Sequence, residues 1–207
     1  MRQTTAQVTH EGLGELNKAQ GDAAPDILRQ QMGLVREVLD QHGHVDLLVN
    51  NAGRSIRRGV SRSYDRYHDF ERTMQLNYFG SLKLILGFLP TMRERRDGQI
   101  VNISSISRAG NMGQANYSAT KAGVAAMTVT WAKEFARHGV RVNTVSPGFI
   151  GTEMVRSMKP EALAKLSAMI PAGRIGEPDE IAGAVQFLVE NDFMNGRNLE
   201  VDGGMRL

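Results

Sequence analysis

Three short apolar runs, each closed by polar or glycine-rich residues and each separated from the next by a long stretch of helical period, restrict what this chain can fold into. They are Val45-Asp46-Leu47-Leu48-Val49-Asn50, Gln99-Ile100-Val101-Asn102-Ile103-Ser104-Ser105 and Val140-Arg141-Val142-Asn143-Thr144-Val145-Ser146. Nearly continuous apolar character, rather than strict alternation, is what a parallel strand buried on both faces requires. The intervening segments carry the other period. Residues 26–42 place Ile27, Met32, Leu34, Val35, Val38 and Leu39 at approximately helical spacing and stop at Gly43. Residues 67–96 read as one long helix. Residues 117–138 are rich in alanine, turn Val124, Met127, Val129, Trp131 and Phe135 toward packing partners, and close at Gly139. A further helix at 179–190 precedes a final strand at about 197–201. Strand and helix alternate with crossovers long enough for parallel connections, so the expected fold class is α/β, a doubly wound parallel sheet whose ligands sit beyond the strand C-termini.

At 207 residues the chain makes one domain, expected over residues 26–207. Residues 151–176, with Met154, Met158 and Met169 and a proline toward each end, read as a helical flap over the ligand site rather than a core layer. The hydrophobic fraction of 41% and the charged fraction of 23% are those of a soluble globular protein. No run reaches the roughly 18 apolar residues that span a bilayer, the N-terminus lacks a signal-peptide core, and the absence of cysteine excludes a disulfide scaffold. The expected location is the cytoplasm. A net charge of only +3 argues against nucleic acid as a partner. Arg93, Arg95 and Arg96 interleave with Glu94 and Asp97 as a solvated helix end does. Arg54, Arg57 and Arg58 instead follow a strand end, where an anionic cofactor or substrate could meet them.

Candidate chemistry concentrates in the second half. Tyr117 and Lys121 lie at i and i+4 and share a helix face. A tyrosine alone is a poor acid, with a pKa near 10, and a neighbouring ammonium favours the phenolate and brings that value down. The same spacing is also that of any exposed pair on an amphipathic helix. Ser104 and Ser105 end the preceding strand; their side chains face opposite ways, so only one enters the cleft, and spacing does not choose between them. Both hydroxyls could equally satisfy loop backbone. Asn77, a polar residue in an apolar helix, is either a structural bridge or a holder of water and lysine in a proton relay. No clustered histidines suggest a metal site.

Asn50-Asn51-Ala52-Gly53, Leu76-Asn77, Ile103-Ser104-Ser105, Tyr117-x-x-x-Lys121 and Pro147-Gly148-Phe149-Ile150-Gly151-Thr152 occur in the order found in the short-chain dehydrogenase/reductase family, which the chain resembles over residues 26–207. The stretch from Gly110-Asn111-Met112-Gly113-Gln114 to Val201-Asp202-Gly203-Gly204 looks like 3-oxoacyl-carrier-protein and acetoacetyl-coenzyme A reductases. The resemblance implies a Rossmann-like fold and NAD(P)H-dependent reduction of a 3-oxoacyl thioester or similar ketone in fatty acid metabolism. By the same implication Tyr117 donates the proton, Lys121 holds the nicotinamide ribose and activates Tyr117, Ser105 holds the carbonyl, and Asn77 binds a relay water. Asn51, Ala52 and Gly53 would lie beside the adenosine-side ribose, and Pro147, Gly148, Ile150 and Thr152 would form the nicotinamide wall together with Tyr117 and Lys121. NADP(H) is favoured over NAD(H), with no metal. A homo-oligomer, dimer or tetramer, would pair the helices at 67–96 and 117–138 across subunits.

The family opens with a strand, a Thr-Gly-x-x-x-Gly-x-Gly loop and a helix, the loop and helix N-terminus holding the pyrophosphate. Here only Val8-Thr9-His10-Glu11-Gly12-Leu13-Gly14 is similar to that loop, two positions short of the pattern. A complete βαβ unit takes about 30 residues or more, which the span from Gly14 to Asn50 does not provide once the helix at 26–42 is counted. The expectation is therefore a fold shortened at its N-terminus by at least one βα unit, with residues 1–25 an irregular remnant. That shortening sets a second reading beside the reductase: a catalytically weak family member that assembles through its long helices as a non-enzymatic protein.

Overall fold

Strands form at all the expected places. In the computed structural model, which describes residues 24–206, α1 (Ala24–His42) leads into β1 (Leu47–Asn50). Next come α2 (Tyr67–Met74), a π-helical turn (Gln75–Gly80), α3 (Ser81–Arg95) and β2 (Gly98–Ile103). A second crossover, α4 (Ala115–Phe135), leads to β3 (Val140–Pro147), and α5 (Glu153–Arg156), α6 (Pro160–Met169) and α7 (Pro178–Glu190) precede β4 (Asn198–Val201). The four strands pair in parallel in the order β1-β2-β3-β4. Residues 1–23, which include the glycine-poor stretch at 8–14, lie outside the described residues.

Register explains the layers. Leu48, Ile100 and Val142 align in one row, and Val49, Val101 and Asn143 in the next. Adjacent rows face opposite sides of a sheet. The first row joins a core with Val35 of α1, Ile85, Phe88 and Met92 of α3, and Val124 and Met127 of α4. On the other face Val101 and Val145 pack against Ala184 and Leu188 of α7. Burying a side chain such as Phe88 or Ile85 stabilises the fold by roughly 1.5–3 kcal/mol, so these rows fix which helix lies on which face. Helices therefore cover both faces, as a doubly wound sheet requires.

One polar row crosses this core. Asn50, Asn102 and Thr144 are in register near the strand C-termini. Asn50 Nδ2 donates to Asn102 Oδ1 (2.8 Å), Asn102 Nδ2 to Thr128 Oγ1 (2.9 Å), and Thr144 Oγ1 to the same Thr128 oxygen (2.7 Å). Thr128 lies on α4, so these bonds fix the rotation of that helix against the sheet; a buried polar group left unpaired would be costly. Gly139, which ends this helical segment with φ of 71°, is required by contact: a Cβ there would lie 2.0 Å from the Arg96 carbonyl oxygen.

The helix expected over 67–96 is continuous in direction but not uniform, because the π turn interrupts it around Asn77. Near the other end of the sheet, Ile150 pairs with Gly176, and the amide of Gly151 donates to the Gly176 carbonyl (2.8 Å). The segment between them leaves and returns at one neck. It carries α5 and α6, and α6 buries none of its residues fully.

Candidate active site

Helix α4 begins at Ala115 and places Tyr117 in its first turn and Lys121 in its second, on one face. The start of the helix is held from three directions. The Asn116 side-chain oxygen accepts from the Tyr117 amide (2.7 Å) while its Nδ2 donates to Thr73 Oγ1 of α2 (3.3 Å). Gln114, the N-cap residue, donates through Nε2 to Ser55 Oγ (2.6 Å) and accepts at Oε1 from Asn111 Nδ2 (2.6 Å) and Ser107 Oγ (3.3 Å). The loops after β1 and β2 are thus tied to the turn that presents Tyr117.

The two serines divide as the strand alternation requires. Ser104 is buried, and its hydroxyl donates to the Lys121 backbone carbonyl (2.8 Å). Ser105 caps the 3-10 turn Ile106–Ala109, accepts from the Ser107 amide (3.1 Å) and stands near enough to the Tyr117 phenol to favour its ionised form. The hydroxyl that meets Tyr117 is therefore that of Ser105.

Lys121 is 3% exposed. Its Nζ donates to the Ile103 carbonyl (2.6 Å) and stands 5.7 Å from the centroid of the Tyr117 ring. Burial lowers its pKa from 10.5 to about 8. Tyr117 moves the other way: burial raises the phenol, and the Ser105 hydrogen bond opposes that only in part. This corrects the expectation that Lys121 draws the phenol down. The ammonium is bonded to the Ile103 carbonyl, and desolvation of the phenolate dominates. A neutral phenol at physiological pH follows.

The Asn77 side chain forms a structural bridge. Its Oδ1 accepts from the Arg54 amide (2.8 Å), and its Nδ2 donates to the Arg54 carbonyl (2.9 Å) and to Thr120 Oγ1 (3.2 Å). With the side chain so occupied, its amide ties the loop after β1 to α4. Gly53 sits directly beneath this clamp: a Cβ there would lie 3.3 Å from Lys121 Nζ and 3.5 Å from Asn77 Oδ1.

The remaining sequence-predicted residues occupy the same C-terminal edge of the sheet. Asn51, Ala52 and Gly53 form the irregular exit from β1, with Asn51 and Gly53 exposed. Pro147 ends β3, and the Gly148 amide donates to the Val201 carbonyl (2.9 Å). Ile150 forms the flap neck, and Thr152 is exposed at the N-cap of α5. Thr120, Gln114 and the Ile103 carbonyl escape sequence reading. Gln114 had one usable signal, a polar side chain just before a helix start; a backbone carbonyl has none. Among the described residues no group of three or more His, Cys, Asp or Glu is arranged to hold a metal ion, and no helix is long and apolar enough to cross a membrane.

Comparison with known proteins decides the family. The family model described as "Enoyl-(Acyl carrier protein) reductase" matches residues 8–206. The chain belongs to the short-chain dehydrogenase/reductase family. It is 39% identical over 175 residues to the 3-oxoacyl-[acyl-carrier-protein] reductase of Thermotoga maritima, covering 83% of this chain and 70% of the relative. To the enzyme of the same name from Vibrio cholerae it is 41% identical over 175 residues, covering 83% and 71%. Carbonyl reductase family member 4 of Xenopus tropicalis is 39% identical over 173 residues, with 83% and 71% covered.

Proposed function

We propose that this chain reduces the ketone of a 3-oxoacyl thioester, or a similar ketone, to the 3-hydroxy product, with Tyr117 as the proton donor. The observation that carries the reading is Lys121, buried with its Nζ 5.7 Å from the centroid of the Tyr117 ring and with Ser105 beside the phenol, at the sheet edge where α/β folds bind ligands. The names of the relatives supply the substrate class.

Each residue has a distinct task. Ser105 and Tyr117 hydroxyls converge on the carbonyl oxygen and polarise it. The half-buried phenol is neutral at physiological pH and so carries the proton that the oxygen needs as it gains charge. Lys121, protonated below about pH 8, stabilises the phenolate left behind. Asn77 positions the loop after β1, and a relay water on its turn would return a proton to Tyr117. The described residues fit the ribose end of a nicotinamide dinucleotide: the missing Cβ of Gly53 leaves open the side of Lys121 Nζ, next to the exposed Asn51 and half-buried Ala52. Pro147, Gly148, Ile150 and Thr152 form the opposing wall. When bound, NADP(H), favoured over NAD(H), supplies the hydride to the carbonyl carbon.

Residues 26–207 act as one domain in this reading, in the cytoplasm, with the flap at 151–176 covering the acyl group. Phe79, Leu86 and Val129 leave apolar surface on the π turn, α3 and α4, which supports pairing into a dimer or tetramer. That exposure also favours the second reading, an oligomerising protein of weak catalysis. Calorimetric titration with NADPH and NADH separates the two. Saturable binding of either supports the reductase; a folded oligomer that binds neither at millimolar concentration supports the second reading and overturns the first.

A further inference from the structure

Asp69, Thr73, Asn77 and Ser81 recur at every fourth residue through α2, the π turn and the start of α3, and all four are buried, with 5%, 2%, 1% and 8% of their surface exposed. A helix ordinarily buries an apolar stripe against its neighbour. This stripe is polar, and α4 answers it at the same spacing: Asn116 and Thr120, 6% and 0% exposed, lie one helical turn apart.

Two rungs join the helices. Asn116 Nδ2 donates to Thr73 Oγ1 (3.3 Å), and Asn77 Nδ2 donates to Thr120 Oγ1 (3.2 Å). Each threonine spends its own proton within its own helical segment, Thr73 on the Asp69 carbonyl (2.6 Å) and Thr120 on the Tyr117 carbonyl (2.7 Å). Its oxygen then only accepts toward the other helix, so each rung has one direction. Both ends of the stripe are tied as well: the Asp69 carboxylate accepts from Arg66 Nε (2.8 Å), and Ser81 Oγ donates to the Asn77 carbonyl (3.2 Å).

Apolar side chains of the same shape would hold these helices together about as well, because the net gain from a satisfied buried hydrogen bond is small. What polar rungs add is register, since an amide shifted by a turn loses its acceptor. The residues that follow the rungs are the reactive ones. Tyr117 directly follows Asn116, whose Oδ1 accepts from the Tyr117 amide (2.7 Å), and Lys121 directly follows Thr120. Ser105 is held separately, on the turn after β2, so a rotation or slip of α4 would carry the phenol away from it. The bonds of Thr128 set α4 against the sheet two turns further on; the rungs set its first turns against the neighbouring helix.

We propose that Thr73 and Thr120 are positioning residues of the reduction, whose rungs fix the rotation and height of the first turns of α4 and with them the reach of the Tyr117 hydroxyl to the substrate carbonyl. This rests on the reduction proposed above. Both threonines act through Asn116, Asn77 and the backbone of Tyr117 rather than on the substrate.

Two measurements on the full chain test it. Thr73→Val keeps the shape and removes the hydroxyl, and Thr73→Ser keeps the hydroxyl. With NADPH and 3-oxobutanoyl-coenzyme A, Thr73→Val is expected to lower kcat about tenfold or more with both KM values within about twofold of wild type, while Thr73→Ser keeps most of the kcat. Thr120→Val cuts the other rung and is expected to behave as Thr73→Val does; should one valine variant fail to fold, the other carries both measurements. A wild-type kcat in the folded valine variants overturns the proposal, as does an equal loss in Thr73→Ser or a rise in the KM for NADPH in place of the fall in kcat. Hydrogen exchange reads the rungs without turnover: residues 115–121 are expected to exchange about tenfold or more faster in the valine variants, with residues 140–147 of β3 unchanged. Unchanged exchange at 115–121, or acceleration that spreads equally to β3, overturns the proposal. If the wild type reduces no thioester, the functional reading fails, and the exchange alone decides whether the rungs hold α4.

Discussion

Tyr117, Lys121 and Gly53 each make a separable prediction. Tyr117→Phe removes the phenolic hydroxyl that would donate the proton and is expected to lower kcat for ketone reduction by about 10²–10⁴ with little change in melting temperature, read by steady-state turnover and thermal unfolding. Lys121 is costly to hold. Its pKa is about 8 in the fold against 10.5 for the free side chain, so the charged form is disfavoured on folding. That penalty is present in full below pH 8 and is relieved as pH rises from about 8 to 10.5. It amounts to about 3 kcal/mol, an order of magnitude set by 1.36 kcal/mol per unit. Lys121→Met is therefore expected to melt a few degrees higher than wild type at pH 7 while reduction is lost, with the difference in melting temperature shrinking near pH 10; a destabilised variant at pH 7 would contradict this. Wild-type kcat/KM is expected to fall as pH rises through about 8, when the ammonium deprotonates. Gly53→Ala places a methyl 3.3 Å from Lys121 Nζ. The expected result is weaker cofactor binding with a smaller effect on stability, separable by calorimetry and urea unfolding.

Among the elements, the strands were legible and the irregularities were not. Continuous apolar runs such as Leu47-Leu48-Val49 and Ile100-Val101 announce themselves because both faces of each strand are buried. The π turn at Gln75–Gly80 left no trace in the pattern, because it keeps the helical face while diverting one asparagine to bonds with the backbone of a distant loop. Asn77→Ala would leave the Arg54 amide and carbonyl without their partner, and it is expected to cost about 2–4 kcal/mol in urea unfolding. Arg141 shows a similar limit. Its guanidinium donates to the carbonyls of Leu188, Val189, Asn191 and Met194 and closes the end of α7, although in the sequence it reads only as a charge inside a strand. Spacing likewise left Ser104 and Ser105 equivalent until strand direction gave one to the Lys121 carbonyl and the other to Tyr117.

Over the whole molecule, the order of motifs carried the family, and the family carried the chemistry. Residues far apart in the chain, Gly53, Ser105 and Tyr117, converge because a parallel sheet collects strand ends at one edge. What alternation of apolar and polar residues could not carry was electrostatic balance: burial, not the neighbouring ammonium, sets the direction of the Tyr117 shift. The most direct measurement is the loss of reduced-nicotinamide absorbance when the purified chain is mixed with NADPH and 3-oxobutanoyl-coenzyme A, beside the same assay on Tyr117→Phe. Steady oxidation by the wild type, reduced by at least about 10² in the variant, is the expected result. Equal rates in the two proteins, or none in a wild type that binds NADPH and the thioester, would contradict Tyr117 as the acid of a 3-oxoacyl reductase.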